Sequence, residues 1–234
     1  MSENNAYAVS DDTIFAADAP VDARVAFLKK TYTLMTIGLL VFAATLWAAG
    51  RIEAVNSLAV RLYNPWMPLI VLFGGSILVH AVSTKPGLNL LAYFGFLFFF
   101  GLVSAPMILT LGAAGGPTII GQAALLTALI FIGLSAYVYY SGKDFGFLGG
   151  ILWLGVIALV AMALVGWLTG SFAPGLWYSG FAVMLLGGFI LYDTSNILRR
   201  FPTNMYVGAA LELTIDVILL FKYLLLMLWS LQGD

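Results

Sequence analysis

Four charged side chains stand out because they interrupt long apolar stretches. Asp193 lies in "LYDTSNILRR", and Glu212, Asp216 and Lys222 lie in "YVGAALELTIDVILLFKYLLLMLW". Glu212 and Asp216 are four residues apart and would share one face of a helix. If these stretches cross a membrane, each ionised group costs about 2.5–3.5 kcal/mol on insertion scales. Charges placed there usually mark a pathway, a proton relay or a counter-ion pair.

The three acids predict chemistry based on a shared proton. Clustered carboxyl groups in a medium of low dielectric constant cannot all stay ionised, and a close pair titrates as a unit. With the proton bound, a carboxylic acid donates to a carboxylate and holds two helices together. With the proton lost, a cation or a separation of the helices must relieve the repulsion. The pattern therefore favours a pH-dependent gate or a site for a hard cation.

Simpler structural roles remain open for each of these groups. A buried acid can bond a neighbouring hydroxyl or backbone group and only hold a helix crossing. Lys222 fits a structural counter-charge as well as a functional one. His80, the only histidine, fits an interfacial hydrogen-bonded residue or a proton-responsive partner of the acids.

The composition of the chain indicates that it lies in a membrane. Of 234 residues, 62% are hydrophobic and 9% are charged, whereas a soluble domain has about 25% charged residues. The net charge of -1 argues against nucleic acid as a partner, and the absence of cysteine excludes disulfides and thiolate chemistry. We expect the lipid bilayer as the main partner and no cofactor.

Runs of about 20 apolar residues predict seven transmembrane helices. Residues 1–31, polar and acidic, are predicted to be a flexible tail, and residues 32–234 the membrane domain. The predicted spans cover residues 32–50, 66–83, 88–110, 118–140, 147–168, 177–198 and 206–231.

The distribution of lysine and arginine predicts the orientation of these spans. Seven basic residues fall on the N-terminal side, namely Arg24, Lys29, Lys30, Lys85, Lys143, Arg199 and Arg200. Arg51 and Arg61 fall on the opposite side. The N-terminus is therefore expected in the cytoplasm and the C-terminus outside.

The sixth and seventh spans form a hairpin through "RRFPTN", so their acids enter from the same side. At 1.5 Å per residue, Asp193 lies about 10 Å from Arg200, and Glu212 and Asp216 lie about 12 and 18 Å from Asn204. The depths alone favour Asp193 opposite Glu212 rather than Asp216.

The same hairpin, "GGFILYDTSNILRRFPTNMYVGAALELTIDVILLFKYLLLML", resembles that of the Bax inhibitor-1 (transmembrane Bax inhibitor motif) family, including its bacterial members. "FFFGLVSAPMIL", with Gly101 and Pro106, is similar to the family's third span. The resemblance implies six helices around a central C-terminal helix, in an inner bacterial membrane. It also implies that Asp193 and Asp216 form a pH-sensing pair that controls a calcium leak.

The chain departs from the family pattern around this pair. Leu219 stands where the family usually has asparagine, and Thr214 stands where it usually has tyrosine. Glu212 and Lys222 replace residues that are more often uncharged. The arginine that some members carry at the end of the second helix is missing, and only His80 and Lys85 lie there. The latch on the aspartate pair is therefore expected to differ.

We expect a pH-gated leak for Ca2+ or another cation, with a transient cation contact at Asp193 and Asp216. The alternative is a non-conducting regulator that binds other membrane proteins through glycine-rich faces at Gly146, Gly149, Gly150, Gly187 and Gly188. An intramembrane aspartyl protease fits less well, because Leu213, Thr214 and Ile215 precede Asp216 in place of the expected Gly-x-Gly. No enzymatic activity is predicted.

Overall fold

The structure, a computed structural model, describes residues 14–64, 66–116, 118–170 and 175–232. Within these ranges the regular secondary structure is α-helical, apart from an isolated β-bridge between Phe15 and Pro202 and a 3₁₀ turn at Gly146–Leu148. The helices are α1 (Val21–Arg51), α2 (Glu53–Leu62), α3 (Met67–Ala81), α4 (Leu88–Ala114), α5 (Ile119–Ser141), α6 (Gly149–Leu168), α7 (Leu176–Arg199) and α8 (Tyr206–Gln232).

Five of these helices, α1, α4, α5, α6 (with its 3₁₀ turn) and α7, are long and apolar enough to cross a membrane. The short helix α3 gives a sixth span if it is taken together with α2 as one bent pair. By the same criteria of length and composition, α8 is not counted. The chain is thus a helical, multi-span membrane protein with five or six spans on these criteria, against the seven predicted.

The helix bounds differ from the predicted spans at the N-terminal end of the chain. α1 begins at Val21, well before residue 32, and the connection after it folds into α2. Residues 1–13 of the predicted tail lie outside the described residues, as do residues 233–234.

α8 packs against much of the rest of the bundle, although three charged residues interrupt its apolar sequence. It packs against α1, α3, α4, α5 and α7, and its buried residues form much of the main hydrophobic core. α6 is the opposite case, because it packs mainly on α7 and buries only Leu152 and Leu159. The apolar side chains that α6 exposes would face lipid.

The two ends of the helix bundle differ in chemistry. We call the end with the α7–α8 turn the basic end, because Lys143, Arg199 and Arg200 lie there. Five of the six tryptophans lie toward the opposite end, namely Trp47, Trp66, Trp167, Trp177 and Trp229. Tryptophan is enriched where a membrane meets water. This end therefore has the composition of a membrane interface.

The segment before α1 is attached to the α7–α8 turn. The Ala16 N–H donates to the Phe201 carbonyl at 2.8 Å, and the Thr203 N–H donates to the Ile14 carbonyl at 3.0 Å. Ala16 is completely buried by this contact. The first and last helices of the described chain are therefore joined at the basic end.

Three helices meet at the hydroxyl of Tyr93, which is fully buried on α4. This oxygen lies 2.8 Å from Thr214 Oγ1 of α8 and 3.2 Å from the Leu34 carbonyl of α1. Thr214 also donates to the Ala210 carbonyl at 2.6 Å. The hydroxyl of Tyr93 thus fixes the register of α4 against both α1 and α8.

We predict that Tyr93→Phe lowers the free energy of unfolding by about 1 kcal/mol, the usual net contribution of a buried hydrogen bond. The loss stays small because Thr214 keeps its bond to Ala210. The measurement is the midpoint of SDS-induced unfolding in mixed micelles. Tyr140→Phe, at a side chain that is 85% exposed, is the matched control and should leave the midpoint in place. Equal midpoints for both variants would contradict this role of Tyr93.

Candidate functional site

The α7–α8 hairpin brings two carboxyl groups into contact inside the bundle. The side chains of Asp193 and Asp216 hydrogen-bond each other, and only 9% and 4% of these residues is exposed. A hydrogen bond between two carboxyl groups requires that one of them carries the proton. The contact therefore suits a pair that shares a proton. Asp216 Oδ2 is buried and has no hydrogen-bond partner among the described residues.

This pairing differs from the one that depth alone predicts, which placed Asp193 opposite Glu212. Helical side chains slant toward the N-terminus of their own helix. Since α7 and α8 are antiparallel, Asp193 slants away from the basic end and Asp216 slants toward it. The two slants reduce the difference in depth, and the carboxyl groups meet.

Glu212 lies one turn from Asp216 and pairs with His80 of α3. Glu212 Oε1 is 3.4 Å from His80 Nε2, and both side chains are partly exposed. α3 reaches this position because it carries glycine where it meets α4: a Cβ atom at Gly75 would collide with the ring of Phe96. The close approach of α3 to α4 thus helps to set where His80 projects.

The hydrogen bond of the other ring nitrogen of His80, Nδ1, determines how many protons the His80–Glu212 contact requires. Nδ1 lies 3.0 Å from the Ser76 carbonyl, which only accepts hydrogen bonds, so Nδ1 carries a hydrogen. In the neutral tautomer Nε2 would then direct a lone pair at the Glu212 carboxylate. An attractive contact needs one further proton, either on Nε2 or on the carboxyl group. The His80–Glu212 pair is therefore a one-proton contact between α3 and α8.

The two proton-holding pairs are close enough to influence each other. Glu212 interacts electrostatically with both Asp193 and Asp216. Protonation at either pair therefore changes the charge that the other experiences, and we treat these three acids and His80 as one coupled cluster.

Lys222 lies apart from the cluster, farther along α8. Its Nζ donates to Ser104 Oγ of α4 at 3.2 Å and lies 5.1 Å from the centre of the Phe100 ring. Within the described ranges, no carboxylate comes within ion-pair distance of Nζ. The structure thus brings the three acids and His80 together and leaves Lys222 outside the group.

An ion pair at the basic end, missed in the sequence, holds the α5–α6 loop on α7. Asp144 Oδ2 accepts from Arg200 at 2.7 Å, and Asp144 Oδ1 accepts from the Gly146 N–H at 2.8 Å. The Gly146 N–H, followed by the Arg200 charge, holds the pKa of the Asp144 carboxyl below its usual value. Asp144 is therefore ionised throughout pH 5–8. The sequence does contain a signal for this ion pair. Asp144 is an acid next to Lys143, at the end of the bundle where Arg199 and Arg200 also lie.

The segment after Asp193 is attached to the neighbouring elements by hydroxyl groups. Ser195 Oγ accepts from the Phe145 N–H at 3.0 Å, and Thr194 Oγ1 lies 3.3 Å from Ser135 Oγ of α5. These contacts orient α7 so that Asp193 faces α8. Nowhere in the described chain do three or more His, Asp or Glu side chains form a set that could hold a metal ion.

The fold and the site together place this chain in a class: multi-span membrane proteins that carry a buried pair of acids on their last two helices. The family model described as "Inhibitor of apoptosis-promoting Bax1" matches residues 24–233. The chain belongs to the Bax inhibitor-1 family.

Three relatives show how widely the family is distributed. A membrane protein of Vibrio cholerae is 34% identical over 88% of this chain and 90% of its own length. The modulator of FtsH protease YccA from Escherichia coli is 32% identical over 88% of this chain and 91% of its own, and another strain's copy is named an inner membrane protein. Bax inhibitor 1 of Schizosaccharomyces pombe is 30% identical, covering all of this chain and 87% of its own.

We predict that α3 moves away from α8 as the pH rises, because the His80–Glu212 contact loses the proton that it needs. Spin labels at Thr84→Cys and Met205→Cys can follow this distance, since the chain has no native cysteine. The labels should report a longer distance at pH 8 than at pH 5.

Glu212→Gln is the matched control for this measurement. A glutamine amide can donate to Nε2 of neutral histidine without an extra proton. The distance in the Glu212→Gln protein should therefore stay short at both pH values. A distance that changes with pH equally in both proteins would contradict the one-proton contact.

Proposed function

We propose that the protein is a proton-gated cation leak of the inner bacterial membrane. The observation that carries this proposal is the buried, hydrogen-bonded pair of Asp193 and Asp216, in which Asp216 Oδ2 has no partner within the described part of the chain. The proposed arrangement has seven helices, six of them around α8, with the N-terminus in the cytoplasm. The packing of α8 against five helices and the bias of basic residues toward one end support it.

Gating follows from the proton that the pair holds. While it is bound, the hydrogen bond between Asp193 and Asp216 keeps α7 against α8. When it leaves, two carboxylates face each other in a site without bulk water, and their repulsion is strong there. Either the helices separate or a cation takes the place of the proton. Both outcomes open a route for a cation through the inner half of the bundle.

The His80–Glu212 pair supports gating in the same direction. It holds α3 against α8 only while it carries its extra proton, so it also releases as the pH rises. Glu212 interacts electrostatically with both aspartates. When one pair loses its proton, the negative charge left there makes it harder for the other pair to lose its own proton. The response to pH is therefore spread over two linked steps.

The ligand chemistry supports a hard cation as the conducted ion. The polar atoms at the pair are carboxylate oxygens, which Ca2+ prefers. A leak needs contacts that form and break quickly, and two carboxylates without further ligands meet that need. We include Ca2+ on this ground, and the proposal involves no catalytic step.

A second candidate function is the regulation of another membrane protein. The relative from Escherichia coli is named as a modulator of the FtsH protease, and this name supports the same kind of role for this chain. The glycine-rich faces predicted from the sequence give little support to this regulatory role. A Cβ at Gly149 would meet Tyr192, and one at Gly188 would meet Leu152, so both glycines serve packing inside the molecule. The exposed side of α6 is the surface that remains for a partner.

We predict that Ca2+ flux into proteoliposomes is greater at pH 8 than at pH 5, and that Asp193→Asn and Asp216→Asn each reduce this difference several-fold. An asparagine cannot lose the proton that gates the pair, so only the smaller response of the His80–Glu212 contact should remain. The measurement uses purified protein with a calcium dye inside the vesicles.

Asp144→Asn is the control, because it removes a carboxylate that stays ionised over this range. It should keep the native response. A full pH response in both aspartate variants would contradict the acid pair as the gate. No flux from folded protein at any pH would favour the regulator.

A further inference from the structure

Among the residues that the structure describes, Lys222 is the one charged group deep in the bundle that the proposed gate does not use. It lies six residues after Asp216 on α8, about 9 Å farther from the basic end. Only 8% of the residue is exposed. A cation that passes the acid pair and continues along α8 would meet this charge next.

The side chain cannot escape to water. Ten residues separate Lys222 from Gln232, about 15 Å of helix, which is more than a lysine stem spans. Its Nζ is instead directed at α4, where both Ser104 and Phe100 are fully buried. The ammonium group is therefore held inside the protein.

The two groups that hold Nζ are the kinds of group that bind cations. Ser104 offers the lone pairs of a hydroxyl oxygen, and Phe100 offers the negative face of its ring. No carboxylate in the described part of the chain neutralises the ammonium by direct contact. We call Ser104 Oγ and the Phe100 ring the α4 seat. It is a small cation site that the protein fills with its own side chain.

We infer that Lys222 is a tethered cation that occupies the α4 seat and sets a barrier to cations in the outer half of the bundle. This inference rests on the proposed leak and adds a determinant of ion selectivity to it. The acids near the basic end attract a cation, and Lys222 repels it on the way out. Repulsion scales with the charge of the ion, so the barrier is higher for a divalent than for a monovalent cation.

The barrier is tested by removing the positive charge of Lys222. With Lys222→Met, which keeps most of the apolar stem, Ca2+ flux at pH 8 should rise about tenfold and Na+ flux should rise less. Lys222→Arg keeps the positive charge and is the matched control, with flux close to that of the native protein. Lys222→Gln is a second neutral variant in case the methionine protein does not fold. Elution as a single species in detergent establishes folding for each protein.

The outcomes separate the barrier from the leak itself. Native flux that rises in neither neutral variant would overturn the barrier and leave the leak standing. An equal rise in Lys222→Arg and Lys222→Met would also overturn it, since packing rather than charge would then be responsible. No flux from the native protein or from either neutral variant at any pH would remove the leak and the barrier together.

Discussion

Lipid offers no hydrogen-bond partners, so every charge on α8 has to be satisfied by another helix. Asp216 is bound from α7, Glu212 from α3, and Lys222 from α4. The packing of α8 against five other helices satisfies this constraint, because it brings all three partners within reach. The apolar helix α6, which carries no charge, can afford to lie outside.

In the proposed gate, two protons form part of the tertiary structure. One lies between Asp193 and Asp216 and one between His80 and Glu212, and each joins a different helix to α8. The stability of these two helix contacts would then depend on the pH on the side of the membrane from which water reaches the cluster. Contacts made by apolar packing, such as those between α1 and α4, have no such dependence.

The sequence was sufficient for a helical membrane protein and for singling out the charged residues of the last two helices, because charges are conspicuous in apolar segments. The pairing of the acids was harder. Counting 1.5 Å per residue gives the depth of a Cα atom but not the slant of a side chain, so it favoured Glu212 as the partner of Asp193. The His80–Glu212 pair could not be predicted, because the position of α3 depends on its close packing at Gly75 and Phe96. The Asp144–Arg200 ion pair joins two turns that are distant in sequence, and only the folded chain shows which acid meets which arginine.

The backbone hydrogen bonds between Ile14–Ala16 and the α7–α8 turn have a mechanical consequence. The turn connects the two helices that carry the acid pair, and it is bonded to the chain segment just ahead of α1. A force applied to the chain before Ile14 would be transmitted first to this turn, by backbone bonds rather than by flexible side chains. The segment Ile14–Ala16 is thus mechanically connected to the α7–α8 hairpin. Tension on this segment would act on Asp193 and Asp216 without any change of pH.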